Sequence, residues 1–359
     1  MVLVFGLFGK DKGPATAEIL PYQQVVEVKK NESLLQSALS AGIDFPHSCK
    51  VGTCVQCRCK LTEGKVKAIR DFSYVLSVEE LQAGYILACQ ARVKPGEHIR
   101  VEVELEAGRP KYAKQQFAGE VTAVETLTHD IKALTLKIPV KLEYVAGQYA
   151  ELSLPEFDRP REYSFAAAAQ PGGSNELLFY IRHMPGGRFT DWLFSADRVG
   201  ETIQVEAPTG DFWLRDSAQP LLMVGGGSGL APLKSIIEDA VQRGVKRDLV
   251  FLFGARAQRD LYAMDELNKL GESWQGQFEI VPVLSDEAVE SGWQGLQGFV
   301  HTAITTEVIS DLSSRHAYLC GPPVMIDAAI TVMNAAGIHS DHIHYDKFLD
   351  ASSLGADRS

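Results

Sequence analysis

Four of the six cysteines, Cys49, Cys54, Cys57 and Cys59, fall within eleven residues; Cys89 follows some thirty residues later and Cys320 stands far off. The run Cys49-x4-Cys54-x2-Cys57 with Cys89 downstream is a spacing that places four thiolates on a [2Fe–2S] cluster. Gly52 lets the connecting loop bring amide N–H groups close to sulfur. Zinc would more often draw two Cys-x2-Cys pairs or added histidines, whereas here there is one such pair and His47 is the only nearby imidazole. A purely structural set of buried cysteines is the remaining alternative. It suits Cys59, which shares a strand face with Cys57 after the ligand set is full.

A second chemistry sits in Gly225-Gly-Gly-Ser-Gly229-Leu-Ala231-Pro232, which follows the apolar run Pro220-Leu-Leu-Met-Val224. The pattern predicts a buried strand over 220–224, a Gly-rich turn, a helix over 233–243 with Pro232 near its first turn, and another strand over 248–254. Strand, turn, helix, strand is a dinucleotide-binding arrangement in which backbone amides meet a pyrophosphate at the helix N-terminus. The turn departs from G-x-G-x-x-G because Leu230 stands at its last glycine. The second strand closes on Gly254-Ala-Arg256 instead of the acid that grips a ribose. A Gly-rich loop of structural purpose alone is the competing reading. Ala317-Tyr-Leu-Cys320-Gly-Pro-Pro323-Val-Met325 reads as a further strand, turn and helix.

Between these lies a stretch of short apolar runs parted by turn residues, such as Gln170-Pro-Gly-Gly-Ser and Ala207-Pro-Thr-Gly. Short strands at regular spacing predict an antiparallel barrel. Three of its segments carry reactive types: Arg161-Glu-Tyr163-Ser164-Phe165, Arg182-His-Met-Pro-Gly186-Gly187-Arg-Phe-Thr190, and Pro208-Thr-Gly210-Asp-Phe212. Taken singly, each also suits a surface ion pair or an ordinary turn.

Around the cysteines, residues 25–28 read as a strand. Asn31 is placed to cap a helix over 32–40 that Gly42 ends, and residues 57–61 read as a second strand before a turn at Gly64. Residues 107–116 read as a linker. The chain has 359 residues and a net charge of −11, which argues against a nucleic-acid binder. Residues 1–106 hold 13 basic and 13 acidic side chains, so all of the excess charge lies beyond them. The first eight residues are apolar, but no positive residue precedes them and no small-residue cleavage site follows. A first strand or a tail is expected there, and a cytoplasmic location.

Residues 16–106 resemble the β-grasp fold of plant-type ferredoxins, most closely at the cysteine motif and at Leu87-Ala-Cys89-Gln. Val55 and Lys50 depart from it, standing where relatives often carry a small residue and Arg. The middle stretch resembles the flavin domain of the ferredoxin–NADP reductase superfamily. The last resembles that superfamily's pyridine-nucleotide domain, whose turn reads G-G-G-[ST]-G-[LI]-A-P. Together they resemble the three-domain NADH-dependent reductase components of bacterial multicomponent oxygenases, such as benzoate dioxygenase and phenol hydroxylase reductases. The resemblance implies a multidomain α+β and α/β fold. Its parts are a β-grasp [2Fe–2S] domain over 1–106, an antiparallel β-barrel FAD domain over 117–216 and a doubly wound parallel-sheet NAD domain over 217–350, with a tail over 351–359.

It also implies site roles. Cys49, Cys54, Cys57 and Cys89 hold the cluster. Arg161, Arg182, Gly186, Gly187 and Thr190 serve the FAD diphosphate, Tyr163 packs on the flavin ring, and Ser164 lies near its reactive nitrogen. Gly226, Gly227, Gly229, Leu230, Ala231, Pro232, Arg256, Gly321 and Pro322 serve the nucleotide, Cys320 lies beside the nicotinamide, and Phe348 belongs to a terminal region that can cover the flavin. The implied function is hydride transfer from NADH to FAD, then single electrons through the cluster to a separate terminal oxygenase or hydroxylase. A flavin is needed because hydride delivers electrons in pairs and the cluster takes one. Asp260-Leu-Tyr-Ala-Met-Asp265-Glu-Leu267 resembles NADH-using relatives, which implies NADH, while Arg256 and Arg259 would suit a 2′-phosphate. The same relay could serve a deoxysugar dehydratase or a membrane desaturase, and a redox sensor without turnover is the alternative from another class. No two-His-one-carboxylate or di-iron pattern appears, so the chain is expected to deliver electrons and not to oxidise the final substrate.

Overall fold

The computed structural model describes residues 13–47, 49–52, 55–106, 108, 112–157 and 159–348. The chain divides into two compact units, Met1–Arg109 and Pro110–Ser359. No helix among the described residues is long and apolar enough to cross a membrane.

The first unit is a curled sheet around one helix. Its elements are β1 (Ala15–Leu20), β2 (Gln24–Val28), α1 (Leu34–Ser40), β3 (Arg58–Glu63), β4 (Lys67–Ala68), α2 (Val78–Gln82), β5 (Tyr85–Leu87), β6 (Ala91–Arg92) and β7 (His98–Glu102). The five-stranded order is β2-β1-β7-β3-β5. Strands β1 and β7 are parallel, with Ala17 opposite Ile99; the other pairings are antiparallel. Alternation turns Ala15, Ala17 and Ile19 inward, where Leu34, Leu35 and Ala38 of α1 cover them. The expected Asn31 cap is replaced by Ser33, whose hydroxyl accepts from Gln36 N at 3.2 Å while Gln36 Oε1 accepts from Ser33 N at 2.9 Å. This reciprocal pair satisfies two amides at once, and Asn31 lies outside the helix at φ +72°.

The second unit opens with six strands: β8 (Gln115–Thr126), β9 (Ile131–Leu142), β10 (Tyr149–Ser153), β11 (Arg161–Ser164), β12 (Ser174–Arg182) and β13 (Thr202–Thr209), with α3 (Arg188–Ser195) after β12. Their order is β11-β10-β13-β8-β9-β12. A bridge between Phe165 and Phe179 links the two edges and closes the barrel. The expected linker ends sooner than position 116. Gln115 and Gln116 are already in the β8 ladder opposite Ala207 and Glu206, and the Gln116 amide donates to the Glu206 carboxylate at 2.7 Å.

The sheet that follows runs β14 (Leu221–Gly226), β15 (Leu249–Ala255), β16 (Phe278–Leu284), β17 (Leu296–Gln297), β18 (His316–Gly321) and β19 (Ile343–Lys347). All are parallel, in the order β17-β16-β15-β14-β18-β19. Helices α4 (Leu230–Gln242), α5 (Met264–Ser273) and α6 (Pro323–Ala335) cover it. The period of two splits each strand between faces. Leu221 and Met223 pack with Leu233 and Ile236 of α4; Leu222 and Val224 pack with Ile326 and Met333 of α6. His342 and His344 fall at the entry to β19. His342 ends a short 3-10 turn, Ser340–His342, and only His344 is on a strand. Its ring lies half-buried 4.9 Å from that of Tyr318, because parallel pairing sets the two side by side.

Candidate cluster, flavin and nucleotide sites

The cysteine loop turns tightly. Lys50, Gly52 and Val55 have φ of +55°, +86° and +51°, so the backbone reverses its amides repeatedly, as an anion-binding concavity requires. Val55 does so despite its β-branch, which resists this conformation. A Cβ on Gly52 would come within 2.6 Å of Gln90 Cγ, so the glycine is what lets the loop lie against the turn that carries Cys89. Cys57 and Cys89 are buried and Cys49 is half-buried. Ala88 N donates to Cys57 O at 3.0 Å. The Cys89 amide donates to Cys57 Sγ at 3.5 Å, and the Gln90 side-chain amide to Cys89 Sγ at 3.6 Å. Convergent thiols with N–H donors aimed at sulfur fit an iron–sulfur centre. Cys54 lies outside the described residues. Cys59 points into the core with no exposed surface.

In the barrel, Arg161 opens β11 and donates to the carbonyls of Arg159 and Pro160, each at 3.1 Å. Among the described residues it has no carboxylate partner. Tyr163 lies 5.2 Å from Phe189, ring to ring; burial pushes its hydroxyl well above the ordinary range and keeps it neutral. Ser164 is buried at the strand end. Gly186 takes φ +78°, and Gly187 caps α3. The Thr190 hydroxyl spends its bonds inside this turn, accepting from Met184 N at 3.1 Å and lying 2.9 Å from Met184 O. A cation with no carboxylate partner among the described residues, an aromatic wall, and a glycine turn at a helix N-terminus fit the diphosphate and ring of FAD. Arg182 Nε donates to Asp130 at 3.1 Å, and its tip lies against Gly227 of the nucleotide turn.

The nucleotide turn follows β14. Gly227–Gly229 form a single 3-10 turn that runs into α4 at Leu230, with Ala231 and Pro232 buried in its first turn. A Cβ on Gly229 would lie 2.5 Å from the Cys320 carbonyl carbon and 2.8 Å from Gly321 N. Only glycine permits this approach. Gly321, at φ +146°, sits over Gly226, and Pro322 caps α6. Burial, then the adjacent Asp346 charge, push the Cys320 thiol up, so it stays protonated. Phe348 N donates to Gly321 O at 2.9 Å, and its ring packs on the core that holds Tyr180 and Cys320.

Two sets of residues escaped the sequence reading. Lys234, almost wholly buried, pairs with Glu238 and with Glu266 (3.1 Å) and donates to Ala166 O at 3.2 Å. Ser235 donates to Ala167 O at 2.8 Å, and Ala168 N to Glu238 at 2.8 Å. Helix α4 therefore clamps the segment just after Ser164. A lysine inside the apolar stretch Leu-Lys-Ser-Ile-Ile was the available signal. Tyr262 is the other. Its hydroxyl donates to Gly227 O at 3.0 Å and its ring meets Tyr180 edge to face at 5.4 Å; the sequence reading singled out the segment that contains it but gave the tyrosine no role.

Three domain families match: a 2Fe-2S iron-sulfur cluster binding domain over residues 17–94, an oxidoreductase FAD-binding domain over 118–213 and an oxidoreductase NAD-binding domain over 223–331. The xylene/toluene monooxygenase electron transfer component of Pseudomonas putida is 38% identical over 90% of each chain. The phenol 2-monooxygenase reductase component of Pseudomonas sp. (strain CF600) is 32% identical over 95% of this chain and 96% of its own. Among solved structures, an Amycolatopsis cytochrome P450 reductase superposes with a TM-score of 0.76 at 31% identity, covering 94% of this chain and 99% of its own. With three matched domains in this order and relatives aligned nearly end to end, the chain belongs to the family of FAD- and [2Fe–2S]-containing, NADH-dependent reductases that form the electron-transfer components of oxygenase systems.

Proposed function

We propose that this chain takes hydride from NADH onto FAD in the second unit and passes electrons singly through the [2Fe–2S] cluster of the first to a separate terminal oxygenase or hydroxylase. When bound, FAD supplies the two-electron to one-electron exchange that the cluster cannot. The observation that carries the reading is α4: its first turn abuts Cys320, and its Lys234 and Ser235 hold the strand end that carries Ser164. One helix thus fixes both halves of a hydride-transfer site.

Arg161 neutralises the FAD diphosphate, Gly186 presents its amide to it, and Gly187, which donates its own amide to Met184 O at 2.8 Å, and Thr190 keep that turn closed. Tyr163 walls the ring and Ser164 stands at its reacting edge. Gly226 to Pro232, Gly321 and Pro322 shape the nucleotide turn, and Cys320, held as a neutral thiol, lies beside the nicotinamide. Cys49, Cys54, Cys57 and Cys89 ligate the cluster, and Phe348 covers the sheet end. The work is placed in the cytoplasm, the compartment where clustered cysteines serve as metal ligands and not as disulfides. Relatives named as monooxygenase, dioxygenase and demethylase reductases support an oxygenase as electron acceptor.

The test is an absorption spectrum of the purified protein before and after NADH, with ferricyanide turnover. Flavin and cluster bands that both bleach support the relay. Bound groups that NADH leaves unreduced overturn it.

A further inference from the structure

The end of β15 poses a puzzle. It carries Arg256 where a nucleotide-binding sheet of NADH preference places an acid, and an arginine there suits the 2′-phosphate of NADPH. The structure supplies acids from elsewhere. The turn between β8 and β9 brings Asp130 across from the barrel, and Arg256 Nη2 donates to Asp130 Oδ2 at 3.0 Å. Arg256 Nε pairs with Asp260 at 3.3 Å, and His129, from the same barrel turn, pairs with Asp260 at 3.3 Å. Asp130 is set for this role. Its carboxylate accepts from the Thr128 hydroxyl at 3.0 Å, its carbonyl accepts from His183 N at 2.7 Å, and it also binds Arg182. Burial opposes its charge, but the Thr128 hydroxyl and the Arg182 and Arg256 cations outweigh burial and hold its carboxyl below the usual range. His129, Asp130 and Asp260 converge closely enough to suggest a metal site, yet two guanidinium groups already occupy the Asp130 carboxylate and would repel a cation.

We propose that Asp130 is the specificity determinant missing from β15: by pairing with Arg256 from the neighbouring barrel it withholds the cation that a 2′-phosphate needs and so sets the preference for NADH. It is a positioning residue, acting through Arg256. A dianion at the ribose would face two carboxylates around a guanidinium already shared between them, whereas a ribose hydroxyl carries no charge to repel.

This rests on the proposed hydride entry, and the test separates the two. Asp130→Asn, Arg256→Gln and the double variant are compared in the flavin-loaded protein. Calorimetry with 2′,5′-ADP and 5′-AMP accompanies kcat/KM for NADPH and NADH. Asp130→Asn is expected to tighten 2′,5′-ADP and raise kcat/KM for NADPH about tenfold, with 5′-AMP moving less than about twofold. In the Arg256→Gln background the same change should move neither. Unchanged 2′,5′-ADP binding, equal gains for both ligands, or an undiminished gain without Arg256 would overturn the proposal. Loss of NADH oxidation in the parent protein would instead strike the proposed function.

Discussion

Replacing Gly229 by alanine tests whether the nucleotide turn and the Cys320 strand are one packed body. The new Cβ would sit 2.5 Å from the Cys320 carbonyl carbon and 2.8 Å from Gly321 N, and closer still to the Cys320 oxygen. Ordinary contacts are about 3.5–4.0 Å, so a displacement of about 1 Å is needed. The obstacles are backbone atoms, which cannot swing aside as a side chain can. Either the pairing of Gly225 with Cys320 opens or the first turn of α4 lifts away. Overpacking of this kind costs about 3 kcal/mol, which lowers the melting temperature of a unit this size by roughly 6–12 °C. Differential scanning calorimetry of the holoprotein, with the visible cluster band followed in parallel, should show the second unit melting early while the first keeps its midpoint. Stopped-flow reduction by NADH should weaken in apparent affinity, because the amides of the turn have moved. A variant that melts within about 1 °C of the parent and binds NADH unchanged would refute the close-approach argument.

Lys234→Met should destabilise the second unit by about 2 kcal/mol and loosen FAD, since the Ala166 carbonyl and two carboxylates lose their cation; chemical denaturation followed by flavin fluorescence measures both. Cys57→Ser should abolish the cluster absorption while NADH-driven ferricyanide reduction persists, because the second unit has a core of its own. For His316, burial, then His342, Arg247 and Arg215, depress the imidazole to about 4. The unfolded chain therefore binds a proton below the ordinary histidine value while the folded chain resists it. Stability should fall as pH drops from about 6.5 towards 4. Melting curves across that window should be flatter for His316→Gln, and an identical slope would discard this origin.

What sequence makes legible here is chemistry with a local rule. Four cysteines at ligand spacing declare a cluster because iron sets the count and the loop sets the distances. The Gly-rich turn declares itself because close backbone approach admits only one residue type. Helix starts are also local, yet Asn31 and Ser33 offer the same cap. Only the partner Gln36, three residues on, decides between them, and it needed to be weighed. The rest lies in pairings far apart along the chain. Asp130 meets Arg256 across 126 positions, and Lys234 meets Ala166 across 68. Nothing in either neighbourhood announces the other. Arg182 likewise meets Asp130 across 52 positions, from the turn between β8 and β9.

The apolar cluster that joins Ile131, Tyr180 and Phe212 of the barrel to Met223 and Phe253 of the parallel sheet and Leu233 of α4 is a single interior. The cysteine-bearing unit closes an interior of its own. Among the described residues, gene recombination that cuts near residue 109 severs no hydrophobic contact within either interior, whereas a cut near residue 216 would lay open a shared one. The port through which electrons leave is thus free to be exchanged for another. The port through which they enter is inherited whole.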